Sequence, residues 1–296
     1  MTNIQRSGLV AIIGRPNVGK STLLNHILGE KVSITSAKPQ TTRWQILGIK
    51  TTDTTQTVYM DTPGIHKDAK RAMNRYLNKL ASASFMDVNV ILFVVDALQW
   101  REEDQLVLEK LTKAEQPIIL VLNKIDLLTD KTQVLPLLEK MQAKANFAAI
   151  VPVSALKTDN ITNLEKVISE FLPEGGLLYP EDQLTDKSVQ FHYAEIIREK
   201  VIKATAAELP YSTTVTIEQL QNEEKILKIS AVIWVEREGQ KAIVIGKQGM
   251  MLKKIGSAAR KDMEAYAEKK VFLQLWVKIK DNWSDDQKAM QVLGYK

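Results

Sequence analysis

The chain has no cysteine among its 296 residues, so it can form neither a disulfide framework nor a thiolate metal centre. A reducing, cytoplasmic setting fits that composition. Histidine is scarce too: His26, His66 and His192 are scattered and show no ligand spacing. Long apolar runs are missing; the stretch from Val88 to Leu98 is broken by Asn89 and Asp96, well short of a membrane span. The opening Met1 to Arg6 has no signal-peptide core. Neither an internal repeat nor a low-complexity tract occurs. What remains is an ordinary globular composition, 45% hydrophobic and 25% charged, long enough for two domains.

The strongest local signal is Gly14-Arg15-Pro16-Asn17-Val18-Gly19-Lys20-Ser21, which reads G-x-x-x-x-G-K-S. The apolar run from Leu9 to Ile13 leads into it, and a periodic segment from Thr22 to Leu28 follows, giving the strand, glycine loop and helix that a phosphate-binding loop requires. Glycines let the backbone wrap closely round a phosphate, and the amides of the loop and helix N-terminus become donors. Lys20 is expected to reach the terminal phosphates and the Ser21 hydroxyl to hold Mg²⁺.

Downstream, near-continuous apolar strands alternate with amphipathic helices. This predicts an α/β domain with a mostly parallel, doubly wound sheet and ligands at the strand C-terminal ends. The remaining motifs fall at such ends. Asp61-Thr62-Pro63-Gly64 closes one strand, where the carboxylate can support Mg²⁺ and the Gly64 amide can bind a γ-phosphate. Asn123-Lys124-Ile125-Asp126 closes another, and a buried Asp126 can accept two N–H bonds from guanine, a pair adenine lacks. Ser154-Ala155-Leu156 ends the next strand and can lay backbone amides on the base. From Pro173 the pattern lapses into proline, glycine and acidic residues, which predicts domains over 1–173 and 191–296 joined by a linker over 174–190.

The last third carries most of the basic excess. Between Phe191 and Lys296 stand 18 Lys and Arg against 14 Asp and Glu, a surplus of four out of the chain's five. Lys241 to Lys270 alone holds eight against three, a local patch that points to an anionic partner. The expected element order is α-β-β-α-α-β, with a first strand over Thr213 to Ile217. Gly246-Lys247-Gln248-Gly249 follows Ile243-Val244-Ile245 at the centre of that domain. Two glycines let backbone amides approach nucleotide phosphates, and Lys247 adds charge. Lys253, Lys254, Arg260 and Lys261 lie off the Leu252, Ile255, Ala259, Met263 stripe and are expected to face solvent. Gly256 interrupts that helix at a cost of roughly 1 kcal/mol against Ala. The methionines around Met250 read as core filler. Trp234, Trp276 and Trp283 read as packing residues, with base stacking open to any one of them.

Taken in order, GRPNVGKST, QTTR (Gln40 to Arg43), DTPGIH (Asp61 to His66), NKID and SAL resemble the translation-factor branch of P-loop GTPases. They are closest to the Era family of bacterial small-subunit assembly GTPases. The Ile245 to Gly249 stretch looks like the core of a type II KH domain, which that family carries at its C-terminus. The resemblance implies a GTP/GDP-binding GTPase in which Lys20, Thr42 and Gly64 act on the γ-phosphate. Ser21, Thr42 and Asp61 would serve Mg²⁺, with Thr41 the alternative to Thr42. It also implies binding of 16S rRNA near its 3′ end, action on the assembling 30S subunit, a monomer, and some peripheral membrane association. One departure matters: Ile65 stands where Ras-type enzymes place a water-orienting Gln, so slow intrinsic hydrolysis is expected. Asn17 resembles the Asn that ligates a monovalent cation in related GTPases, which implies K⁺ beside the β- and γ-phosphates.

Overall fold

The computed structural model describes residues 4–36, 38, 41–64, 72–83, 87–205, 209 and 212–295. Ile65, Gln40 and His66 fall outside these. The chain forms two compact units, one of Met1–Ser33, Thr42–Ala69 and Asn74–Asp186, the other of Ile34–Thr41, Lys70–Met73 and Lys187–Lys296.

In the first unit the elements alternate: β1 (Arg6–Ile13), α1 (Lys20–Leu28), β2 (Ile46–Thr51), β3 (Thr55–Asp61), then α2 (Ala72–Ala83), whose first two residues belong to the other unit. Next come β4 (Val90–Asp96), α3 (Glu102–Leu111), β5 (Ile118–Asn123), α4 (Val134–Gln142), β6 (Ala149–Val153) and α5 (Ile161–Glu170). The sheet order is β2-β3-β1-β4-β5-β6, and β2 alone runs antiparallel to its neighbour. Successive strand residues feed opposite cores. Val10, Ile12, Leu92 and Val94 meet α1 and α5 through Leu23, Ile27, Leu164 and Ile168. Ala11, Ile13, Phe93 and Val95 meet α3 and α4 through Val107, Leu111 and Met141. Strands buried on both faces have no polar alternation to show, which is why they read as continuous apolar runs. Because β1 lies between β3 and β4, the strand order reverses there and the loop after β1 opens into the crevice.

The run 174–186, linker-like in composition, lies along this first unit. Glu174 bridges Arg6, Thr185 bridges Gly48, and the buried Gln56 amide donates to the Tyr179 carbonyl at 2.9 Å while accepting from Leu178 N at 2.7 Å.

The second unit contains α6 (Val189–Ala204), β7 (Thr214–Asn222), β8 (Ile226–Val235), α7 (Glu238–Ile245), α8 (Met250–Ala267), β9 (Lys270–Ile279) and a short α9 (Gln287–Val292). The order α-β-β-α-α-β is as expected, with α9 added. In the sheet β7-β8-β9, β8 pairs antiparallel with β7 and parallel with β9. Its core joins Ile197 and Val201 of α6, Ile229, Ala231 and Ile233 of β8, and Ile255, Ala259 and Met263 of α8. The strand expected to end at Ile217 continues to Asn222, because a register shift between Ile217 and Gln219 keeps it paired while its polar run breaks the alternation. Met250, expected as core filler, is 60% exposed at the start of α8, whereas Trp283 is fully buried and donates to the Ser212 carbonyl at 3.0 Å.

Residues of 34–41 belong to this unit through α6. Lys38 Nζ donates to the carbonyls of Ile202, at 2.5 Å, and Thr205. The Thr35 amide donates to Glu199 at 3.2 Å, and Arg198 donates to the Thr41 carbonyl.

Candidate nucleotide site and nucleic-acid groove

The loop after β1 is built around forced glycines. Gly14 has φ 156°, and a Cβ there would lie 2.3 Å from the Val94 carbonyl; Gly19 has φ 102°, and a Cβ there would lie 2.3 Å from Asn123 Nδ2. Gly64 is pressed on the loop from the other side, with Pro16 N 2.8 Å from where its Cβ would be. Asn17 takes the left-handed conformation at φ 65°. Val18 is fully buried, and α1 begins at Lys20 with Ser21 and Thr22 in its first turn.

Lys20 is 6% exposed, and its Nζ donates to the carbonyls of Gly14 at 2.9 Å and Arg15 at 3.0 Å. Burial pulls its ammonium down from the ordinary lysine range to about 8, against the opposing attraction of Asp61. An anion in the loop restores the charge.

Beside it lies a cluster of oxygens. Ser21 Oγ donates to Asp61 Oδ2 at 2.7 Å and lies 2.8 Å from Thr42 Oγ1. Ser33 Oγ donates to the same Asp61 oxygen at 2.9 Å. The second oxygen, Oδ1, is buried without a hydrogen-bond partner. Burial pushes the Asp61 carboxyl upward, against the pull of Lys20 and the two serine hydroxyls. An all-oxygen set with one carboxylate and an unsatisfied buried oxygen suits Mg²⁺, which takes few protein ligands and shares phosphate oxygens. Thr42, not Thr41, supplies the second hydroxyl; Thr41 Oγ1 instead donates to the Lys38 carbonyl at 2.6 Å.

Three side chains of the expected site, Arg15 in the loop and Asn123 and Asp126 read together as choosing guanine, have their own partners in the structure. The Arg15 side chain turns away from the loop: its Nε donates to Asp104 at 2.9 Å and its Nη2 to the Gln99 carbonyl at 3.3 Å, so only its backbone is available to a phosphate. Asn123, 2% exposed, acts as a staple. Its Nδ2 donates to the Val18 carbonyl at 2.7 Å, and its Oδ1 accepts from the amides of Lys124 and Ala155, both at 2.8 Å. One side chain thereby ties the phosphate loop to both segments read for the base. Asp126, expected to be buried, is exposed at the rim, and its Oδ1 accepts from Ser154 Oγ at 2.5 Å. Lys124, at φ 71°, reaches back to Asp96 at 2.7 Å, while Leu156 is 67% exposed. Thr62, buried, donates to the Ile12 carbonyl at 2.9 Å and fixes the turn that carries Pro63 and Gly64.

Sequence reasoning missed Ser33, Asp96 and Asp104. None lies in a recognisable spacing, although an acidic residue in the first turn of α3 is a common capping choice, and Asp104 also accepts from the Arg101 amide.

The second unit presents a groove of about 420 Å³ between α8 and β9, running from Gly249 past Lys253, Ser257 and Arg260. These positions share one helix face; Lys254 and Lys261 are also exposed but do not line it. Gly256 explains itself here, because a Cβ would lie 3.3 Å from Leu275 Cδ1, so glycine lets β9 approach the helix. At the groove's mouth Ile245 ends α7. Gly246 follows at φ 71°, then exposed Lys247 and Gln248, the latter at φ 51°. Gly249, at φ 76°, has open space where a Cβ would stand.

Residues 9–124 match the family described as 50S ribosome-binding GTPase, and residues 208–284 match the KH domain family. The chain is 53% identical over 294 residues to GTPase Era of Pseudomonas syringae pv. tomato, covering 99% of this chain and 98% of that one. It is 54% identical over 292 residues to GTPase Era of Ectopseudomonas mendocina, with coverage of 99% and 98%. Among solved structures it superposes at TM-score 0.95, with 40% identity and coverage of 98% and 99%, on Era in complex with MgGDPNP and nucleotides 1506–1542 of 16S ribosomal RNA. The same values hold for an Aquifex aeolicus Era variant bound to GDP and AlF4⁻.

Proposed function

Because the chain belongs to the Era family of GTPases, we propose that it is a GTP-hydrolysing switch that binds 16S rRNA near its 3′ end and acts on the assembling 30S subunit. The observation that carries the nucleotide half is the oxygen cluster of Ser21, Thr42 and Asp61 beside the buried Lys20. Lys20 neutralises phosphate charge, Ser21 and Thr42 hold Mg²⁺, Asp61 supports it, and the Gly64 amide meets the γ-phosphate. The metal, when bound, supplies charge compensation across the β- and γ-phosphates. Asp126 accepts from guanine, with the Ala155 and Leu156 amides beside the base and Asn123 holding the segments in register. Asn17 would hold K⁺, which would supply positive charge beside the β- and γ-phosphates. The RNA half rests on the GxxG turn with Lys247, and on Lys253 and Arg260 along the groove.

Functionally, 1–173 serves as the GTPase domain and 191–296 as the RNA-binding domain. The protein works as a cytoplasmic monomer with peripheral attachment to the membrane. No helix among the described residues is long and apolar enough to cross one.

The test is multiple-turnover phosphate release with Mg²⁺, comparing GTP with ATP and K⁺ with Na⁺, alongside binding of a 16S 3′-end oligonucleotide. GTP turnover accelerated by K⁺, together with oligonucleotide binding, is the expected result. ATP turnover at an equal rate would overturn the guanine assignment, and equal rates in both salts would remove the K⁺ role of Asn17.

A further inference from the structure

The sheet of the second unit has two faces, and the helices cover the one bearing Ile229, Ala231 and Ile233. On the other face, side-chain alternation along β9 brings out Phe272, Gln274 and Trp276. Phe272 is 49% exposed and Trp276 43%, large apolar surfaces to leave in water. They stand four residues apart on one strand, about 13 Å. Between them lies exposed Gln274, whose Oε1 accepts from Ser230 Oγ on β8 at 3.5 Å. Beyond β8, Gln219 of β7 faces Ser230 across the ladder. Lysines border the rings. Lys270 and Lys278 sit at the two ends of the same strand face, and Lys278 pairs with Glu218 at 3.1 Å in an exposed ion pair that opens at little cost.

We propose that this open face is a second platform for single-stranded RNA, on which Phe272 and Trp276 each stack one base. The inference rests on the reading that the GxxG groove holds RNA and goes beyond it, since this face is not the groove. Continuity supplies the path. Phe272 also lines the groove that begins at Gly249, so a strand leaving the groove crosses β9 at that ring and meets Trp276 next. Chemistry supplies the partner. Every base offers a π-face to an aromatic ring, and amide and hydroxyl groups between the rings can bond base edges. A protein-docking patch calls for contiguous apolar surface, whereas here a glutamine and a serine separate the rings.

The experiment uses the full chain and two unstructured oligoribonucleotides, one of about four nucleotides, the span a GxxG groove clamps, and one of about ten, enough to reach past it. Wild type is expected to bind the longer one more tightly. Trp276→Leu keeps the apolar bulk but removes the ring; it should weaken the longer RNA roughly tenfold and leave the shorter unchanged. Trp276→Phe should recover most of the loss. If Trp276→Leu binds the longer RNA as tightly as wild type, or if wild type gains nothing from the added length, the platform is disproved while the groove stands. If wild type fails to bind the shorter RNA, the groove reading fails and this proposal falls with it.

Discussion

Two glycine loops in this molecule open a helix with a lysine beside them, and they are built in opposite ways. At the phosphate loop every glycine is enclosed: a Cβ at Gly14 or Gly19 would lie 2.3 Å from fixed atoms, and Lys20 is buried. At the turn before α8 only the first glycine is enclosed, a Cβ at Gly246 lying 2.6 Å from Met251 Cβ; Gly249 has open space where a Cβ would stand, and Lys247 and Gln248 are exposed. Both loops contain positive-φ residues, Gly14, Asn17 and Gly19 in the first and Gly246, Gln248 and Gly249 in the second. The enclosed one suits a small anion of fixed geometry, gripped on all sides. The open one suits a polymer whose backbone must slide past and continue. Glycine therefore serves close approach at Gly14, Gly19 and Gly246, and an unobstructed passage at Gly249 alone.

The sharpest way to break this comparison is to remove the buried charge. Lys20→Ala should cost about 3 kcal/mol of GTP binding, roughly a hundredfold, while RNA affinity without nucleotide stays at the wild-type value. Isothermal titration with GTP and a separate RNA titration check both halves. Comparable in size but opposite in target, Gly249→Asp should collapse RNA binding and leave GTP affinity intact. The substitution meets no neighbour and costs only the strain of an L side chain at φ 76°, about 1 kcal/mol. Wild-type RNA affinity in that variant would show that the turn is not the clamp.

Smaller in effect, Asp126→Asn should shift preference from GTP toward XTP, because an amide donates where the carboxylate accepted. Unchanged affinities for the two nucleotides would remove Asp126 from base recognition.

A pH experiment sharpens the electrostatic half. Lys20 titrates near 8 in the free protein, below its unfolded value of 10.5. The unfolded chain therefore binds more protons between these values, and this group makes stability rise with pH across that window and contribute no slope below it. A bound phosphate raises the pKa again, so GTP binding above about pH 8 should take up a proton. Calorimetry in buffers of differing ionisation enthalpy reads this directly, and Lys20→Arg should abolish the uptake.

The smallest expected effect separates neighbouring lysines. Lys253→Ala should flatten the salt dependence of RNA binding by about one counterion. Lys254→Ala, one position round the helix and outside the groove, should change it less. Equal slopes would mean that the charge acts as a diffuse patch.

By itself the sequence determined whatever is local or periodic. The phosphate-loop spacing, the doubly wound alternation, the α-β-β-α-α-β order and the GxxG turn all depend on residues within a few positions of one another, and local backbone chemistry enforces them. Tertiary structure decided which side chains meet across long separations. Asn123 holds Val18, 105 residues away, and Arg15 is drawn off by Asp104, 89 away. Ser33 joins Asp61, and between two adjacent threonines only Thr42 reaches Ser21. No periodicity records such pairings, because each exists only once the sheet has brought distant strand ends to the same edge, where a buried polar atom must find its partner or remain unpaired.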